Sequence, residues 1–78
     1  MEDLIKKLIV HLGDDPEREG LLDTPGRSSR ALEFLTKGYG ETAKEVVNDA
    51  VYTSSSDEMV VVKNIEIYSL CEHHILPF

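Results

Sequence analysis

The chain has 78 residues, 15 of them acidic and 8 basic, for a net charge of −7. Such a charge repels phosphate backbones and anionic lipid, which excludes nucleic-acid or membrane binding driven by bulk charge, and no apolar run approaches the roughly 20 residues a membrane helix needs. A single cysteine excludes an internal disulfide, so a chain this short depends on a metal or a partner subunit to complete its core.

The first segment reads as an amphipathic helix. Leu4, Ile5, Leu8, Ile9 and Leu12 recur with helical spacing, and Gly13 is placed to stop it. In Asp15-Pro16-Glu17-Arg18-Glu19-Gly20, Asp15 caps a short turn with Pro16 in its first position, and Gly20 closes it. Thr24 as N-cap and Pro25 at the first helical position announce a second helix with an apolar face of Ala31, Leu32, Leu35 and Tyr39. Gly38 and Gly40 end it, and two helices so closely linked are expected to pair antiparallel. Residues 41–50 are compatible with a third helix in which Ala43, Val46 and Val47 face inward.

After the polar run Thr53-Ser54-Ser55-Ser56-Asp57 the chemistry changes. Met59-Val60-Val61-Val62 and Ile65-Glu66-Ile67-Tyr68 read as strand, with a bulge or bend at Lys63-Asn64. A lone strand leaves its backbone donors and acceptors without a ladder, and the sequence offers no second one. The chain therefore reads as incomplete. The division expected is a helical region over 1–52 and a strand-bearing region over 53–78. The start, Met1-Glu2-Asp3-Leu4, lacks a positive n-region, and one unpaired cysteine fits a reducing, cytoplasmic compartment.

The densest chemistry is Ser69-Leu70-Cys71-Glu72-His73-His74-Ile75-Leu76-Pro77-Phe78. Thiolate and imidazole are zinc ligands, and Cys71 and His74 are spaced as in a half-knuckle. On a plain strand, residues three apart face opposite sides, so the chain must turn after Cys71 for both to reach one ion. Catalytic zinc takes three protein ligands, and no second cysteine exists here. His11 sits on the first helix beside polar positions and reads as surface. The spacing alone leaves a competing reading open, in which Cys71 is a small buried hydrophobe and the histidines are solvated.

The run from Ser69 to Phe78 closely resembles the zinc-strand signature of the GTP cyclohydrolase I family. Asp15-Pro16-Glu17-Arg18-Glu19-Gly20-Leu21-Leu22-Asp23-Thr24-Pro25 with Arg27 resembles that family's helical N-terminal motif, and the intervening Gly38-Tyr39 also matches. The resemblance implies an α+β fold, with N-terminal helices followed by the first strands of a tunnelling-fold (T-fold) sheet that this chain does not complete. It implies the hydrolase that converts GTP and water to formate and 7,8-dihydroneopterin triphosphate, the first step of tetrahydrofolate and pterin synthesis. It also implies zinc held by two cysteines and a histidine, with Cys71 and His74 as two of these ligands and the second cysteine absent. His73 matches the catalytic histidine expected to protonate a purine ring nitrogen, and Arg27 a position contacting the triphosphate. Against that, Arg27 also reads as a surface residue paired with Asp23 or Glu19. Glu72 carries no assigned role.

Family subunits form a ring-shaped decamer with sites at subunit interfaces, so the expected partners are GTP and either copies of the chain or a complementary C-terminal chain. Three readings follow: a portion of a cyclohydrolase inactive alone, one half of a split enzyme, or a non-enzymatic metal-binding or docking module that associates with a complementary or full-length cyclohydrolase chain. The stop inside a strand-and-turn motif favours the first.

Overall fold

Helix α1, Glu2–His11, forms where the leucines and isoleucines recur, with Glu2 and Asp3 in the first turn complementing the positive end of the helix dipole. It ends as expected at Gly13, whose φ of +92° is open to glycine at no steric cost. The Gly13 N–H donates to the Val10 carbonyl and the Asp14 N–H to the Ile9 carbonyl, the paired bonds of a Schellman stop. The computed structural model describes residues 1–78.

The turn expected at Asp15 is present. The Glu17 N–H donates to Asp15 Oδ1 at 2.9 Å, and a short 3-10 turn, Glu19–Leu21, follows. Asp14 accepts two bonds from Arg18, Nε to Oδ1 at 2.8 Å and Nη2 to Oδ2 at 2.9 Å, and a further bond at Oδ1 from the Asp15 N–H. The Arg18 hydrogen bond is the main reason that the Asp14 carboxyl falls from its ordinary 3.8 to about 2. A depressed carboxylate contributes stability that is complete above its unfolded value and lost as pH falls through the folded one. The Asp14–Arg18 link should therefore hold above pH 4 and open on acidification toward pH 2. A carboxyl titration by NMR checks this, with Arg18→Ala returning Asp14 toward 3.8.

Helix α2, Thr24–Leu35, begins one residue earlier than the sequence implied: Asp23 is the N-cap, Thr24 the first helical residue and Pro25 the second. Proline fits there equally well, because the first-turn N–H groups have no intrahelical acceptor to lose. The buried face also differs in part from the expected one. Of the expected face, Leu32 and Leu35 are half-buried and Ala31 and Tyr39 exposed, while Pro25 and Ser29 are buried. The small residues Pro25, Gly26 and Ser29 let α1 approach closely. Glu2 Oε1 lies 3.4 Å from where a Cβ on Gly26 would sit, so the first turns of α1 and α2 meet. That contact does not suit a simple antiparallel hairpin, and the linker over 12–23 is long enough to carry the chain back.

A 3-10 turn, Lys37–Gly40, and a short helix α3, Ala43–Val47, follow. Thr42 and Glu45 form a reciprocal capping box that starts α3. The helix expected over 41–50 is thus five residues long, and Val46 and Val47 are exposed rather than inward.

The expected strands are not formed. Residues 50–69 make neither helix nor sheet, and the only strand-like pairing is an isolated antiparallel bridge between Leu70 and Pro77. The β-branched composition supplies strand propensity, but a strand needs a neighbour for its backbone groups, and none lies alongside. The bend expected at Lys63-Asn64 appears as a left-handed Asn64, φ +56°, a conformation asparagine tolerates. The fold seen is mostly helical, and the sheet part of the α+β expectation is not formed within these residues.

The radius of gyration is 19.3 Å, against about 11–12 Å for a compact chain of this length. The accessible surface is 7395 Å², about 2,600 Å² more than a folded monomer of 8.8 kDa exposes. Ile9, Pro25 and Ser29 alone are buried, while Met59, Val60, Val61, Val62, Ile65 and Ile67 stand in solvent. No helix is long and apolar enough to cross a membrane.

Candidate metal half-site

The turn expected after Cys71 is present and tightly closed. The Cys71 carbonyl accepts from the Ile75 N–H at 2.7 Å, and the Cys71 N–H donates to the Leu76 carbonyl at 2.9 Å. Ser69 and Phe78 exchange both backbone bonds at 3.0 Å, so the residues between them form one closed unit. Pro77, which has no N–H, takes the bridge position where none is required. Ile75 closes the turn with φ +56°. That conformation is rare for a β-branched residue and costs about 1–3 kcal/mol, so the bonds on either side must hold it.

This closure brings Cys71 Sγ to 3.5 Å from His74 Nδ1. Two ligands on a tetrahedral zinc, with Zn–S near 2.3 Å and Zn–N near 2.0 Å, stand about 3.5 Å apart. The donors are a soft thiol and an imidazole, both suited to zinc, so the pair fits that ion in chemistry and separation. The same distance also suits a weak thiol–imidazole hydrogen bond. No group of three or more His, Cys, Asp or Glu side chains is placed to hold a metal, so the turn offers two ligands. Cys71 is a free, half-buried cysteine.

His73 stands outside this pair. Its side chain is 76% exposed, and its Nε2 lies 3.8 Å from Glu72 Oε1, beyond hydrogen-bond range. Of the adjacent histidines, both exposed and with ring centroids 6.4 Å apart, only His74 meets the thiol. Arg27 lies in α2 with its guanidinium 3.6 Å from Asp23 Oδ2, and its Nη2 donates to Thr24 Oγ1 at 3.2 Å. The structure thus gives Arg27 the surface pairing with Asp23 that its sequence context allowed. His11 closes α1 as an exposed residue.

Sequence reasoning did not find Ile75 as the strained residue of the turn, nor the aromatic contact of Phe34 with Tyr68, ring centroids 5.5 Å apart. No residue pattern marks a left-handed isoleucine. The signal for Phe34 was its place beside Leu35 at the end of α2.

The family model for GTP cyclohydrolase I matches residues 1–78. A GTP cyclohydrolase 1 of Alkalilimnicola ehrlichii is 56% identical over 78 residues, all of this chain and 42% of the relative. A GTP cyclohydrolase 1 of Pseudomonas aeruginosa is 58% identical over 73 residues, 94% of this chain and 39% of the relative. One from Campylobacter curvus is 58% identical over 76 residues, 97% of this chain and 40% of the relative. The chain spans about two-fifths of the length of these relatives. With both of its motifs inside a match that runs its whole length, the chain belongs to the GTP cyclohydrolase I family.

Proposed function

We propose that this chain contributes two zinc ligands and the proton donor of a GTP cyclohydrolase I site, which converts GTP and water to formate and 7,8-dihydroneopterin triphosphate. The observation that carries the reading is the 3.5 Å approach of Cys71 Sγ to His74 Nδ1, inside the stretch that the family model matches. In this reading residues 1–52 are the helical N-terminal region, and 53–78 begin the catalytic domain. Met59–Tyr68 becomes the first strand of a T-fold sheet once neighbours supply its ladder. The third ligand, a second cysteine, comes from chain outside these residues.

Zinc, when bound, supplies Lewis acidity and a water acidic near neutrality. Cys71 and His74 orient the ion from one rigid turn. His73 holds its Nε2 free of any hydrogen bond, so a proton there is available to the purine ring nitrogen released as the imidazole ring opens. Imidazole suits this transfer because its ordinary pKa lies near 6.5. Arg27 is the proposed contact to the triphosphate, since an exposed guanidinium held by one carboxylate at 3.6 Å can exchange it for a more highly charged anion.

The roughly 2,600 Å² of excess surface supports assembly, either with copies of the chain, as in the family's decamer, or with a complementary chain. It equally suits the second reading, a docking module without activity of its own. A chimera separates them. Residues 1–78 fused to the part of the Alkalilimnicola ehrlichii relative beyond the matched region should release formate from GTP, while the 78-residue chain should not. A chimera that folds and binds zinc yet releases no formate would leave the docking reading.

A further inference from the structure

We propose that Phe34 and Tyr68 are positioning residues, forming the seat that fixes the Cys71–His74 turn to the helical region. The inference depends on the metal reading only for what is being positioned. Every residue from Lys37 to Ile67 is exposed, so no buried packing ties this stretch to α1 or α2, and the first aromatic contact back to α2 is made by Tyr68, 48% exposed, on Phe34, 54% exposed. The chain returns to the helices at Tyr68, whose ring meets Phe34 at the end of α2 with the planes tilted by 55°. Tilted aromatic pairs at this separation are attractive beyond the area they cover. The Lys37 ammonium stands 5.4 Å from the centroid of the same Phe34 ring, which is thereby engaged by two side chains.

Clefts of about 320 and 370 Å³ flank the contact, and Leu35, Gly38 and Tyr68 line both. Burial is greatest just past this point and then falls away. Ser69, Leu70 and Cys71 are half-buried, and Glu72 to Phe78 are exposed. Tyr68 stands three residues before Cys71, and the Ser69–Phe78 and Cys71–Leu76 bonds close the turn into one body. The orientation of Tyr68 therefore sets that of both ligands together.

The test is backbone amide relaxation on the metal-free 78-residue chain. Order parameters for residues 69–78 should lie near 0.85, like those of α2, and fall below about 0.6 in Phe34→Ala. Tyr68→Phe should keep the rigid values, because the ring is retained and the hydroxyl contacts only Glu66, at 3.1 Å. Should Phe34→Ala lose helix by circular dichroism, Tyr68→Ala, which lies outside the helix, decides the matter by the same measurement. Mobile residues 69–78 in the unsubstituted chain, unchanged values in the alanine variants, or loss of order in Tyr68→Phe would each overturn the proposal. Cobalt added afterwards reports the metal reading separately. The Cys71 thiolate–cobalt band should survive Phe34→Ala, since both ligands lie within the turn, and its absence from the unsubstituted chain would count against the metal reading alone.

Discussion

Replacing Cys71 by Ala, or His74 by Ala, is expected to abolish zinc binding by this chain, and the unsubstituted chain is expected to bind zinc only weakly. The two donors stand 3.5 Å apart, close to the edge a tetrahedral zinc requires, and the backbone bonds of the turn hold them there before metal arrives. Preorganisation cannot replace missing ligands, however. Four-ligand structural sites in small peptides reach about 10–16 kcal/mol. Half that set gives about 5–8 kcal/mol, or a Kd from about 0.1 mM to about 1 μM. Competition against a chromophoric chelator measures the affinity, and the cobalt–thiolate band identifies the sulfur ligand. His73→Ala serves as the control, because its exposed side chain makes no hydrogen bond to either donor. Nanomolar zinc in a folded monomer would refute the two-ligand description, as would an unchanged affinity in Cys71→Ala.

The same balance of local sufficiency and missing partners decides what was legible in the sequence. Where an element is stabilised by bonds within itself, its residues announce it. The leucine spacing and Gly13 mark α1 and its stop, Asp15 marks its turn, and Cys71-Glu72-His73-His74 marks a turn that must bring position 71 to position 74. Where stability comes from elsewhere, propensity misleads. Val60, Val61, Val62, Ile65 and Ile67 favour strand, yet no second backbone lies beside them and no ladder forms. The α2 face is legible only in part for a related reason: Leu32 and Leu35 are half-buried as their spacing implies, while Pro25 and Ser29 are buried beside the Glu2–Gly26 contact, which hydrophobicity along one helix does not carry. Ile75 shows the limit most sharply. Its side chain suggests strand, and only the closing bonds around it impose a left-handed backbone.

Turnover, unlike metal content, should depend on His73. In the chimera described above, His73→Ala is expected to lower the rate of formate release by about 10²–10⁴-fold, the range that a positioned general acid supplies, with zinc stoichiometry unchanged. The expectation rests on the different partners of two neighbouring rings. His74 presents Nδ1 to the Cys71 sulfur, while His73 is 76% exposed with Nε2 unbonded. A ligand lost should cost the metal, whereas a proton donor lost should cost the step that needs the proton. His73→Gln offers a second reading of the same residue, because it keeps a hydrogen-bonding group but cannot transfer a proton near neutral pH. If Gln restored most of the rate, His73 would be binding the purine rather than protonating it. Zinc lost from His73→Ala would make His73 a ligand, and a rate within a few-fold of the unsubstituted chimera would remove it from the reaction.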